Sequence, residues 1–137
     1  MSFFRRIFGW LGRFFRRASE VVSRNALIVK ASLGAGIGLF LENNEKYADE
    51  VVEALRGLRE AVSEGRISSN SVLLEELSGM LKRCGLKPAT SAALMAVFMA
   101  AVSTMEKFLP DGSDEFGPVW DGIIDYAITV AESYVQE

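Results

Sequence analysis

The chain contains no histidine and a single cysteine, Cys84. The first absence excludes a Ser-His-Asp triad, a Cys-His pair, a His-ligated zinc site and an imidazole proton relay. The second excludes an intrachain disulfide and a thiolate zinc cluster. Proline is scarce, with three in 137 residues. No stretch alternates polar and apolar residues with the period of two that a half-buried strand needs. Internal repeats and low-complexity tracts are also missing. The expectation is a non-enzymatic, all-α chain with no catalytic residue, no metal ligand and no cofactor.

Apolar residues, in contrast, are in surplus. They make up 50% of a chain whose length suits one domain. Counting Gly and leaving out Tyr gives about 57%, against about 45–50% in ordinary soluble domains. The mean hydropathy of +0.19 agrees. The surplus points to burial in a membrane, in an oligomer interface or against a partner.

The net charge of −3 hides an asymmetry. Residues 1–24 carry six Arg against the single acid Glu20, a net of +5. The other nine Lys and Arg face 17 acids in residues 25–137, a net of −8. We therefore divide the chain into a basic arm or anchor, 1–24, and an acidic body, 25–137. The arm is attracted to anionic surfaces that repel the body.

Segment 3–24 reads FFRRIFGWLGRFFRRASEVVSR. At 100° per residue, Phe3, Phe4, Ile7, Phe8, Leu11, Phe14, Phe15, Ala18 and Val22 fall within an arc of about 140°. Arg5, Arg6, Arg13, Arg16 and Arg17 occupy the other side, with Trp10 at the boundary. The pattern predicts an amphipathic helix, clearest over 3–18. Gly9 and Gly12 lower its intrinsic helicity by up to about 1 kcal/mol each. It is expected to form on contact with an apolar surface.

The body predicts five more helices. Segment 25–41 is apolar nearly all round, with Asn25 as a possible cap. Its Gly34 and Gly38 have the G-x-x-x-G spacing that lets two helices approach closely, in a membrane or in a soluble bundle. Segment 44–64 follows, capped by Asn44 and stopped by Gly65, with Tyr47, Val51, Leu55, Leu58 and Val62 as its apolar stripe. Residues 65–70 form a loop. Segment 71–84 turns Val72, Leu73, Leu77, Met80, Leu81 and Cys84 inward, with Gly85 beyond its end. Segment 88–109 opens with 18 residues free of charge, at the lower edge for a membrane span. Ala, Ser and Thr dilute it, so it is expected to be the buried central helix. Residues 110–117 form a turn. Segment 118–135 carries the stripe Trp120, Ile123, Ile124, Ala127, Ile128, Ala131 and Val135. The fold class is an all-α bundle of about five helices with the first helix as an arm.

Other sequence features carry little chemistry. GAGIG lacks both the preceding strand and the G-K-[ST] of a phosphate loop. The acid pairs Glu75/Glu76 and Asp121/Asp125 read as solvated helix faces, and Met95, Met99 and Met105 as core filler. Function therefore turns on the arm. Its apolar residues Phe3, Phe4, Ile7, Phe8, Trp10, Leu11, Phe14 and Phe15 suit a lipid bilayer surface, with the five Arg as the electrostatic face. They equally suit a groove on a neighbouring subunit. A targeting presequence is a lesser reading. Nucleic acid is disfavoured, because base stacking calls for aromatic and basic residues to interleave, and here they segregate.

The leading expectation is a membrane-associated or membrane-active homo-oligomer with a lytic, pore-forming or scaffold-like role. The alternative is a structural assembly protein, such as a viral or phage virion component, whose first helix locks into a neighbour. Location is expected at a membrane or within a large assembly, with no cleavable secretion signal and no dependence on disulfides.

Overall fold

The computed structural model describes residues 20–107 and 109–135, with the backbone alone for 20–23. Among these residues there is no strand. Five α-helices follow one another: α1 Glu20–Glu42, α2 Ala48–Ser63, α3 Asn70–Arg83, α4 Pro88–Met105 and α5 Phe116–Glu132. A 3-10 turn, Glu45–Tyr47, joins the first two.

The helices pack in a ring in the order α1, α5, α2, α3, α4, with α4 returning to α1. Side-chain contacts give their directions. Gly34 of α1 meets Tyr126 of α5 and Gly38 meets Val130 and Tyr134, so α1 and α5 run parallel. Arg56 pairs with Glu132 and Ser63 with Asp121, so α2 and α5 run antiparallel. The short turns after α2 and α3 reverse the chain twice more. The longer connection 106–115 then carries the chain across the bundle, and α5 enters between α1 and α2.

Local chemistry explains most of the helix boundaries. Gly65 and Gly85 adopt φ of 77° and 85°, the left-handed region where a Cβ is costly. Each closes the preceding helix with a pair of backbone bonds, Arg66 N–H to Ala61 O with Gly65 N–H to Val62 O, and Leu86 N–H to Leu81 O with Gly85 N–H to Lys82 O. Ser69 caps α3 by accepting from the Val72 amide at 3.3 Å.

Four expectations need correction. Asn25 is no cap, because α1 runs through it from Glu20; Asn costs an interior helix little beside the burial of Ala26 and Val29, which follow it. Asn44 does not cap α2. Its side-chain Nδ2 donates to Phe40 O at 2.8 Å and so closes the end of α1. Helix α4 stops at Met105, short of 109: Pro110 bars helix at the residue before it, and the chain already tightens at Lys107, whose N–H turns to Thr104 O. Nor is α4 the central helix, since only five of its 18 residues are buried: Leu94, Phe98, Ala101, Val102 and Met105.

The core is one contiguous cluster with Trp120, Phe98 and Phe116 as its largest fully buried side chains. Phe116 and Trp120 lie one turn apart on α5 with ring centroids 6.5 Å apart. The polar exception is Asn70, only 1% exposed. Its Oδ1 accepts from Trp120 Nε1 at 3.2 Å. Its backbone amide and Nδ2 both donate to Asp111 Oδ1, at 2.9 and 3.1 Å. One side chain thus ties the start of α3 to the 106–115 connection and to α5. Asn70→Ala would strand the indole N–H without its acceptor, at a cost of about 1–3 kcal/mol. A lowered urea midpoint with an unchanged denaturant slope checks this.

Candidate membrane or partner interface

The residues on which the functional expectation rests lie outside the described residues. These are Phe3, Phe4, Ile7, Phe8, Trp10, Leu11, Phe14 and Phe15 on one side of the pattern, and Arg5, Arg6, Arg13, Arg16 and Arg17 on the other. The body to which they attach is described, and its surface bears on them.

Gly34 and Gly38 both face α5 of the same chain, but they differ in fit. A Cβ on Gly34 would collide with Cε1 of the Tyr126 ring, whereas one on Gly38 would sit 3.5 Å from the Tyr134 hydroxyl, an ordinary contact. Gly36, between them, faces α4, where a Cβ would come within 2.6 Å of Val97 Cγ1. The tight approaches of α1 are therefore at Gly34 and Gly36, toward different neighbours. Gly34→Ala should destabilise the protein by about 1–3 kcal/mol through overpacking. In a Tyr126→Ala background the same change should be neutral or stabilising by up to about 1 kcal/mol, the helix-propensity gain. A double-mutant cycle in urea measures the difference.

The outer sides of α1 and α4 are bare. On α1, Leu27, Ile28, Ala31, Ser32, Ala35 and Leu39 are exposed, and no charge stands between Lys30 and Glu42. On α4, Ala92, Ala93, Ala96, Met99, Ala100 and Ser103 are exposed, and no charge stands between Lys87 and Glu106. The two helices are neighbours in the ring, so these positions make one uncharged face. Ile28, Leu39 and Met99 protrude most, at 55%, 64% and 55% exposure. Arg24–Glu42 and Pro88–Met105 are also the two stretches, among the described residues, that are long and apolar enough to cross a membrane by length and composition.

The opposite side of the bundle is polar. Arg59 of α2 pairs with Asp121 and Asp125 of α5 at 3.3 and 2.8 Å, and Arg56 with Glu132 at 2.9 Å. Asp121 and Asp125 are thus partners of an arginine across a helix seam. These groups are largely solvated, so each pair adds at most about 1 kcal/mol. Between α2 and α3 lies an open groove of about 540 Å³, lined by residues that include Glu53, Arg56, Arg66, Arg83 and Cys84. Burial pushes the Cys84 thiol up, the Glu53 and Glu50 carboxylates push it further, and Arg83 opposes them. A thiol held protonated in this way is a poor nucleophile.

No protein-family model, curated protein or solved structure matches the chain.

The α1–α4 face was missed in the sequence because both segments are apolar nearly all round. Periodicity marks the inside of a helix only when the outside is polar.

Proposed function

We propose that this is a non-enzymatic, membrane-associated protein that adsorbs to anionic lipid through residues 3–18 and self-associates there. The observation that carries the reading is the uncharged α1–α4 face on the body to which that basic, Phe-rich segment is joined. Adsorption of an amphipathic helix buries its Phe side in the acyl boundary and leaves Arg among the headgroups. Seven Phe, Ile and Leu side chains at about 1.5–3 kcal/mol each give a gross term of order 10–20 kcal/mol, reduced by incomplete burial and by helix folding. Five Arg near an anionic leaflet add about 1 kcal/mol each.

The assembly reading draws on the composition of the same face. Its Ala and Ser positions suit close helix packing better than contact with lipid chains. Self-association on the membrane accommodates both features. Vesicle flotation tests the proposal: the protein should rise with anionic vesicles, and less so with zwitterionic ones or at high salt. Failure to rise with anionic vesicles at low salt would sink it.

A further inference from the structure

We propose that the outer seam between α1 and α4 binds the same seam of a second copy, so that in water the chain forms a two-fold dimer with α1 of each copy lying on α4 of the other. The inference deepens the self-association part of the proposed function and does not need its membrane part.

Helix α4 runs antiparallel to α1, and Gly36 of α1 lies against Val97 of α4, which sets these two residues at one height. Counting 100° and about 1.5 Å per residue from them gives the shape of the seam. On α1 its large outward side chains are Ile28 and Leu39, 55% and 64% exposed. On α4, Ala89, Ala93, Ala96 and Ala100 form a row of methyl groups, all exposed. One wall is therefore knobbed and the other shallow. A two-fold axis along the helices sets each α1 on the other copy's α4 and leaves heights unchanged. Leu39 then stands about 4.5 Å above the Gly36 level, between Ala96 at about 1.5 Å and Ala93 at about 6 Å on the second copy. Facing helices interdigitate when large side chains meet small ones. An axis across the helices would lay alanine on alanine and leave that space unfilled.

Charge points to the same partner. Glu42 ends α1 and Lys87 precedes α4, at the same end of the bundle. Both are exposed, and neither has an ion-pair partner among the described residues. Each also stands at the end of its helix that disfavours its charge. In the two-fold pair, Glu42 of each α1 comes over the start of the other copy's α4. It lies about 6 Å from Lys87 in height, a span the two side chains can bridge. Four charges of alternating sign then close that end of the dimer. Area suffices as well. Two adjoining helices about 27 Å long and together about 20 Å wide offer about 500 Å² per copy, or about 1,000 Å² for the pair, the lower bound for a specific interface. The dimer is therefore a weak one.

Sedimentation equilibrium of the lipid-free, full-length protein tests this. The wild type should dimerise, and Ala96→Asp, at an exposed position, should raise the dissociation constant at least tenfold while the urea midpoint holds. Cross-linking gives a readout that does not depend on that variant folding. Leu39→Cys and Ala93→Cys proteins, each also carrying Cys84→Ser, should form a crossed disulfide at least tenfold faster when mixed than either forms one alone. A monomeric wild type, or a folded Ala96→Asp protein that dimerises like the wild type, would overturn the proposal. So would an Ala96→Cys protein that links to its own kind faster than the mixture links, because the axis would then run across the helices. Flotation with anionic vesicles separates this inference from the membrane reading. If neither the wild type nor Ala96→Asp rises and the difference in dimerisation persists, the pairing stands and the membrane reading falls. If both rise and both are monomers in water, the pairing falls and the membrane reading stands.

Discussion

Replacing Phe4, Phe8 and Phe15 together with Glu should lower partitioning to anionic vesicles by about a hundredfold or more. Each Phe contributes about 1.5–3 kcal/mol when its side chain leaves water. With only half of that realised at an interface, three residues account for about 2–4.5 kcal/mol, and 1.4 kcal/mol is a factor of ten. Each Glu also brings a carboxylate toward anionic headgroups. The comparison that isolates the apolar side is Arg5, Arg6 and Arg13 to Gln, which removes charge and keeps every Phe. That variant should bind nearly as well as wild type at high salt, where surface attraction is screened, and less well at low salt. Vesicle titration at two salt concentrations reads both effects. Phe variants that bind like the wild type would show that charge alone holds the protein to lipid.

Trp120→Ala should cost about 3–5 kcal/mol of folding stability. The indole is 0% exposed, packs near Phe116 and donates its N–H to Asn70. The substitution opens a cavity at the largest side chain of the core and removes the donor to the buried amide. In a domain with about 5–15 kcal/mol to spare, this takes a large share of the whole. Trp120→Phe keeps much of the packing and loses the hydrogen bond, so its cost should be the smaller of the two. Urea unfolding followed by circular dichroism measures both. A loss under about 1 kcal/mol for the alanine variant would contradict the account of the core.

How far the fold can be read from the sequence depended on polar contrast. Helix α2 alternates Val51, Leu55, Leu58 and Val62 with charged residues at the helical period, and all four are buried. The stripe of α5 is buried likewise at Trp120, Ile123, Ile124, Ala127, Ile128 and Ala131. Gly65 and Gly85 ended their helices for a reason visible in one residue, the absence of a Cβ. Helix α4 offered no such contrast. Eighteen uncharged residues gave its existence but not its inward side, and the expectation that it lay at the centre failed for that reason. The Asn70 network was out of reach for a different reason. Asn70, Asp111 and Trp120 are 41 and 50 residues removed from one another in the pairs that bond, and only the ring order of the helices brings them together.

The candidate interface divides in the same way. The segregation of Phe from Arg over 3–18 is a one-dimensional pattern and stands in the sequence. The α1–α4 face is a property of neighbours, since it exists because two uncharged helices adjoin and leave their outer sides uncovered. Gly34 drew notice through its spacing to Gly38, yet the tighter partner of the two lies at Tyr126, on a helix that spacing cannot name.

The most direct test of the central claim is flotation of the full-length protein beside residues 20–137 on the same anionic vesicles, with circular dichroism to show that the shorter chain is folded. The account predicts that the full-length protein rises with the vesicles and the folded shorter chain stays in solution. Equal distribution of the two would contradict it.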